Sequence, residues 1–316
     1  MNTHFLTDIE INAFKCFTDF KASGFKRVNL IGGKNNIGKT AFMEAVYINV
    51  HALNVNALIT AIIAIKFSRE NLNCIVEQYD NKEFLDSTKI YSSGSNVRSV
   101  LFEIIEKDAL KEYQITLNGE LKNINAKELS IIHVRINNIE LIDNFGWDDF
   151  EIIKTFQSVQ KIDKENELNA FVKEFDDSIE SFKVIGDKPQ CKTHGVYRDI
   201  TEFGDGLRHY ISIICALYAA ENGYLFIDEI DNGIHYSQLD RLWKLILTLS
   251  KKTNCQVFAT THSKEMLESF ARVSQKLHEQ DISYTTLVKN EQQEIKAITQ
   301  DAEMLFYSIA QAHEVR

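Results

Sequence analysis

Proline is almost missing from this chain: Pro189 is the only one in 316 residues. No segment is rich in Ser and Gly either, so long disordered linkers are not expected. Cysteine is sparse and scattered. Cys16, Cys74, Cys191, Cys215 and Cys255 form no C-x-x-C pair. That spacing gives no zinc or disulfide framework and predicts buried thiols in a reducing cytosol. Net positive charge is lacking, since the formal charge is −10. A globally basic nucleic-acid binder is therefore disfavoured. Two small basic clusters, Lys21/Lys26/Arg27 and Lys183/Lys188/Lys192/Arg198, read as solvated faces. The N-terminus MNTHFLTDIE has neither the basic start nor the apolar core of a signal peptide. One uncharged stretch, residues 45–65, is interrupted by Asn49, His51, Asn54 and Asn56. It is predicted to be a buried helix rather than a membrane span. A cytoplasmic location without membrane contact is the expectation.

What remains is ordinary globular composition, 44% hydrophobic and 25% charged, in a chain long enough for one large or two small domains. Within it stands LIGGKNNIGKTA, residues 30–41, holding Gly33-x-x-x-x-Gly38-Lys39-Thr40. This is the P-loop pattern. Glycines let the backbone turn so that its N–H groups point at phosphate oxygens. The residues predicted to hold nucleotide are Gly33, Lys34, Asn35, Asn36, Ile37, Gly38, Lys39, Thr40 and Ala41. Lys39 would reach the β- and γ-phosphates, and the Thr40 hydroxyl would ligate Mg²⁺. The context fits: an apolar run at 28–31 predicts a strand before the loop, and residues 41–50 predict a helix after it, its N-terminus toward the anion.

Strands are predicted at 8–14 and within 20–31, broken at Ser23-Gly24. From about 70 to 128 the texture turns polar, with strand-like pieces at 100–105 and 112–117 and a hairpin signal at Asn118-Gly119. A further strand is predicted at 131–136. Residues 148–159 read as a helix with acids at its start. Residues 165–182 read as an amphipathic helix, with Leu168, Phe171, Phe175, Ile179 and Phe182 forming a core stripe. Short strands are expected within 182–201. The predicted fold is α/β, with residues 1–68 and 195–316 forming an ATPase core and 69–194 an inserted β-rich and helical lobe. The interval between Thr40 and Gly204 is too short to hold that lobe and a long coiled-coil arm as well.

Three later motifs carry chemistry. Phe203-Gly204-Asp205-Gly206-Leu207-Arg208 precedes an apolar helix at 209–220. Glycines there would expose backbone N–H groups to a phosphate, though an ordinary helix-entry turn explains them equally. Residues 224–231, YLFIDEID, are a buried strand ending in acids, at the edge where α/β sheets bind ligands. Asp228 would hold the metal shell and Glu229 would polarise the attacking water. Residues 256–263, QVFATTHS, are another apolar strand, and His262 at its end could contact the γ-phosphate.

In this order the motifs resemble the ABC-type ATPase heads of the Rad50, RecF and SMC class. The first strand, IEINAFKCF, is similar to the N-terminal strand of those heads, which would put Lys15 and Phe17 near the nucleotide. GDGLRHYISI, LFIDEIDNGIHYSQLDRLW and VFATTHSKEML are similar to the OLD-like ATPases, also labelled AAA15. The resemblance implies a P-loop NTPase of head type using ATP and Mg²⁺, with Lys39, Glu229 and His262 as catalytic residues and Thr40 and Asp228 as metal ligands. It also implies a homodimer sandwiching ATP, so that Gly204, Asp205, Gly206 and Arg208 act in trans. Transporter-type signatures have Ser where Gly204 stands, which implies slow hydrolysis or a substitute contact from Arg208.

OLD-like nucleases carry a Toprim domain after the ATPase. The segment after Ser263 is too short for one, so this chain is expected to cut nothing by itself. ATPases of this shape also stand beside a separate effector in bacterial antiphage systems of the Septu and PARIS kind. The resemblance thus implies an ATPase whose nucleotide-dependent dimerisation controls an effector, a nuclease or toxin. A RecF-like ATPase acting on nucleic acid in repair is the alternative, and a scaffold that only binds ATP is a third.

Overall fold

A computed structural model describes residues 4–70, 88–94, 98–107, 110–125, 138–144 and 146–311. The strand predicted at 131–136 and Cys74 lie outside the described residues. The chain divides into two compact units. One comprises Met1–Phe25, Lys34–Ile136 and Leu287–Thr299; the other comprises Lys26–Gly33, Asn137–Thr286 and Gln300–Arg316.

In the first unit β1 (Leu6–Phe14) and β2 (Phe17–Ser23) form a hairpin through a turn at Lys15 (φ 52°). β2 buries Phe17, Phe20 and Ala22 and exposes the residues between, with strict alternation only from Phe20 onward. The antiparallel sheet continues through β4 (Thr88–Gly94), β5 (Arg98–Lys107), β6 (Leu110–Leu117) and β7 (Glu120–Asn125), in the order β2-β1-β4-β5-β6-β7. Asn118 and Gly119 turn β6 into β7 with φ of 51° and 87°, the two positive values that a two-residue primed turn needs.

Helix α1 (Lys39–His51) buries every residue except Thr40. Its Phe42 meets Phe20 and Phe25 at ring separations of 5.8 and 5.9 Å. The single helix predicted through residue 65 is in fact two. The Asn54 side chain accepts the N–H of Ala57 at 2.9 Å and starts α2 (Val55–Glu70) afresh. Among the described residues no helix is long and apolar enough to cross a membrane.

The second unit is built on parallel strands. β3 (Val28–Gly33), β13 (Gln256–Thr260), β12 (Tyr224–Ile227) and β8 (Ile139–Ile142) lie side by side, with Ile31 opposite Thr260 and Ile227 opposite both Ala259 and Ile142. β14 (Ile282–Lys289), which begins in this unit, flanks β3. β12 and β13 are buried at every position, as strands covered on both faces must be. Helices α3 (Asp149–Lys161), α4 (Glu165–Phe175), α5 (Asp205–Ala219), α6 (Leu239–Lys252), α7 (Lys264–Lys276) and α8 (Ala302–Ala310) belong to this unit. Trp243 of α6 and Phe270 of α7 are fully buried, with rings 4.4 Å apart. A small antiparallel sheet, β9 (Ser181–Ile185), β10 (Lys188–Thr193) and β11 (Val196–Asp199), supplies the strands expected before residue 201.

Three local expectations need correction. The helix predicted over 165–182 stops at Phe175 because the Asp176 carboxylate accepts both the N–H and the hydroxyl of Ser178, a local turn that outcompetes another helical turn. Ile179 and Phe182 still reach the core, from the turn and from β9. Arg27 does not sit on a solvated face. Its guanidinium is buried against Glu279 (2.6 Å), the Ser250 hydroxyl (2.5 Å) and the Leu247 carbonyl (3.1 Å). Cys191, Cys215 and Cys255 are buried as expected, but Cys16 at the β1–β2 turn is exposed.

Candidate functional site

The P-loop residues after Gly33 belong to the first unit. Gly38 holds φ 107° at the start of α1. A Cβ built there would lie 2.7 Å from the Cys16 sulfur and 3.3 Å from the Phe17 ring. Both the backbone angle and the space therefore require glycine. The Lys39 ammonium folds back to donate to the Lys34 carbonyl at 3.1 Å, so the loop closes on its own lysine. Asn36 adds a second left-handed residue, φ 59°. Lys15 forms an ion pair with buried Glu44 of α1. The resemblance drew Lys15 and Phe17 toward the loop; both pack around the start of α1.

The acids stand in the second unit, where β3, β13 and β12 run parallel and end at one edge. Gly33, from which the P-loop departs, Thr261 with His262, and Asp228 with Glu229 all leave that edge. The Thr261 N–H donates to the Ile31 carbonyl at 3.0 Å, tying the end of β13 to β3, and the Asp228 N–H donates to the Ile142 carbonyl at 2.9 Å, tying the end of β12 to β8.

Two threonines organise the loop beyond. The Thr260 hydroxyl donates to Asp228 Oδ1 at 2.6 Å and accepts the Glu229 N–H at 2.9 Å. The Thr261 hydroxyl donates to Asp231 Oδ1 at 2.7 Å and accepts the Ser263 N–H at 3.0 Å. Asp228 is buried, Glu229 is half-buried with φ 52°, and His262 is exposed. Sequence reasoning passed over both threonines, because a hydroxyl at the end of a strand carries no pattern. Ser263 caps α7 through the Met266 N–H, 3.1 Å.

Helix α5 begins at Gly204, exposed at φ 85° and unable to offer a capping side chain. Asp205 and Gly206 already lie inside the first helical turn. Gly206 has a reason unrelated to phosphate: a Cβ there would stand 2.4 Å from the Gly233 carbonyl oxygen. The signature helix and the loop after the acids are thus packed backbone to backbone. Arg208 is held within its own unit, its guanidinium on the Asp149 carboxylate (2.5 Å) and the Trp147 carbonyl (2.9 Å). The next residue, His209, is buried. Burial pulls its pKa down to about 4, against the opposing influence of the Ile230 backbone and the Asp231 carboxylate.

Thr40 and Asp228 are hard oxygen donors. Among the described residues no group of three or more His, Cys, Asp and Glu could hold a metal. Thr40 and Asp228 are each, taken singly, an oxygen ligand of the kind Mg²⁺ takes, one or two per ion beside phosphate and water.

Known proteins resemble this chain over most of its length. A curated ATP/GTP phosphatase of Helicobacter pylori is 26% identical, over 89% of this chain and 90% of its own length. The Smc head bound to the C-winged helix domain of ScpA shares the fold, with TM-score 0.59, 15% identity, and 95% and 99% of the two chains covered. The SMC head of Thermotoga maritima shares it at TM-score 0.53 and 15% identity, covering 93% and 98%. The α/β P-loop NTPase fold expected from the motifs is therefore the fold of this chain. The family model for the AAA ATPase domain (AAA_15) matches residues 106–267, which takes in the acids, the threonines and His262, and the chain belongs to that family of ATPases.

Proposed function

We propose that this chain is a magnesium-dependent ATPase whose nucleotide state governs its self-association and, through it, a separate effector. The carrying observation is the acid pair Asp228-Glu229, locked by Thr260 at the sheet edge from which Gly33 starts the P-loop. Lys39 and the loop Gly33–Ala41 would bind the triphosphate, spreading charge on the transferring phosphoryl group. Thr40 and Asp228 would hold Mg²⁺, which when bound neutralises charge on the β- and γ-phosphate oxygens. Glu229 would accept a proton from, and orient, the attacking water. His262, exposed at the end of β13, would read the γ-phosphate. Gly204, Asp205, Gly206 and Arg208 would be presented to the nucleotide of a second copy. For Arg208 this requires exchanging Asp149 and the Trp147 carbonyl for phosphate. We propose an insertion in that core over residues 69–194, within which β8 (Ile139–Ile142) returns to the core sheet beside β12.

The H. pylori relative is described as acting on both ATP and GTP, so both triphosphates are candidate substrates. Antiphage defence as the setting, a nuclease or toxin as the effector, and slow turnover rest on the resemblance of the motifs to OLD-like ATPases. The net charge of −10 weighs against a repair ATPase whose main ligand is DNA.

The test is Glu229→Gln. It should keep nucleotide affinity, lower turnover by about 10²–10⁴-fold, and hold the ATP-bound assembly in its larger form. Hydrolysis at the parental rate would remove Glu229 from the mechanism. Weighing the complex purified with its genomic neighbours, with and without ATP, tests the effector. A particle of unchanged composition and mass would argue against it.

A further inference from the structure

We infer that Thr260 is a positioning residue that sets the metal-binding acid and the water-polarising acid at once. The inference rests on the ATPase reading above and adds a residue that the motifs do not name. Thr260 ends β13 and is fully buried. It makes three bonds to three consecutive residues. Its hydroxyl donates to Asp228 Oδ1 at 2.6 Å, the same oxygen accepts the Glu229 N–H at 2.9 Å, and its carbonyl accepts the Ile230 N–H at 3.0 Å.

A hydroxyl has a single proton to give. Here it is committed to a carboxylate, a charge-assisted bond that fixes which oxygen of Asp228 turns toward β13. The accepting side of the same oxygen fixes Glu229. That residue holds φ 52°, a left-handed conformation uncommon for glutamate. Its N–H is taken by Thr260, and its carbonyl accepts the Asn232 N–H at 2.8 Å. Glu229 is therefore pinned on both sides of its Cα, and its side chain leaves the strand end in a direction that extended backbone would not give. Outer partners that orient a metal-binding carboxylate are worth about 10–100-fold in metal affinity or activity. Thr260 would carry that role for Asp228 and, through the backbone, would aim Glu229.

Thr260→Val keeps the shape of the side chain and removes only the hydroxyl. Metal affinity is read directly, by electron paramagnetic resonance of Mn²⁺ titrated into the full chain with a non-hydrolysable ATP analogue. Turnover is read beside it. The expected result is nucleotide affinity without metal within about twofold of the parent, with Mn²⁺ affinity and kcat each lower by about 10–100-fold. Thr260→Ser, which restores the hydroxyl, should recover most of both. Parental Mn²⁺ affinity and kcat in folded Thr260→Val would overturn the inference. If Thr260→Val does not fold, Thr260→Ala is judged by the same two readouts and the same criteria. The two failures are distinguishable. If Glu229→Gln abolishes turnover while Thr260→Val changes nothing, only the role of Thr260 falls. If Glu229→Gln turns over at the parental rate, the reading of the site itself falls.

Discussion

The phosphate loop and the acidic edge, assigned by their motifs to one triphosphate, are shaped by different means. Residues 34–38 take their form from the main chain: Asn36 and Gly38 have positive φ, Gly38 has no room for a side chain, and Lys39 bonds to a carbonyl of its own loop. The edge at 228–231 takes its form from buried side chains: two threonine hydroxyls bind two aspartates and two backbone N–H groups. A backbone-made site fails when a Cβ is added. A hydroxyl-made site fails when one oxygen is removed and the volume is kept.

Of the substitutions that follow, Lys39→Ala should have the largest effect, since it removes the ammonium expected on the terminal phosphates and leaves the backbone in place. Turnover should drop by about 10²–10³-fold with the unfolding midpoint nearly unchanged. A similar drop in stability would mean that Lys39 mainly supports the loop. Gly38→Ala attacks the backbone instead. The left-handed angle costs about 1–2 kcal/mol and the overlap with Cys16 about as much again, so denaturant melts should show roughly 3 kcal/mol lost. An unchanged melt would show that the loop yields.

His209 tests the other region through pH. Its folded pKa, about 4, lies below the ordinary histidine value near 6.5. The unfolded chain therefore binds the proton first as pH falls. Stability from this group is complete above about pH 6.5 and declines through pH 4, by about 3 kcal/mol in all. His209→Phe should flatten that part of the stability profile, and an identical acid slope in the variant would assign the loss elsewhere. The smallest effect is expected of Gly206→Ala, about 1–2 kcal/mol, because its helical backbone angle suits alanine and only the overlap with the Gly233 carbonyl must be relieved. Its sharper signature is kinetic. If the glycine contact holds the signature helix to the acidic loop, turnover should fall by more than the lost stability explains.

The same division decides what could be read from the sequence. Glycine and the alternation of apolar residues leave marks. The P-loop, the Asn118-Gly119 hairpin, the buried strands ending in acids and the Asp148 cap of α3 were all legible. Contacts made at a distance leave none. Arg27 lies in a basic cluster in the sequence but is neutralised by Glu279, some 250 positions away. Thr260 and Thr261 read as ordinary strand residues until β12 is laid beside β13. The packing of Gly206 against Gly233 left no mark either, because the two are remote in sequence. The helix predicted to residue 182 failed for a local reason, as periodicity alone does not register the turn at Asp176.

The most direct test is an experimental structure of the chain with Mg²⁺ and a non-hydrolysable ATP analogue. The expected result is one triphosphate with Lys39 on its terminal phosphates, Thr40 and Asp228 on the metal, and Glu229 facing the γ-phosphate. A nucleotide seated in the loop while Asp228 and Glu229 remain apart from metal and phosphate would contradict it.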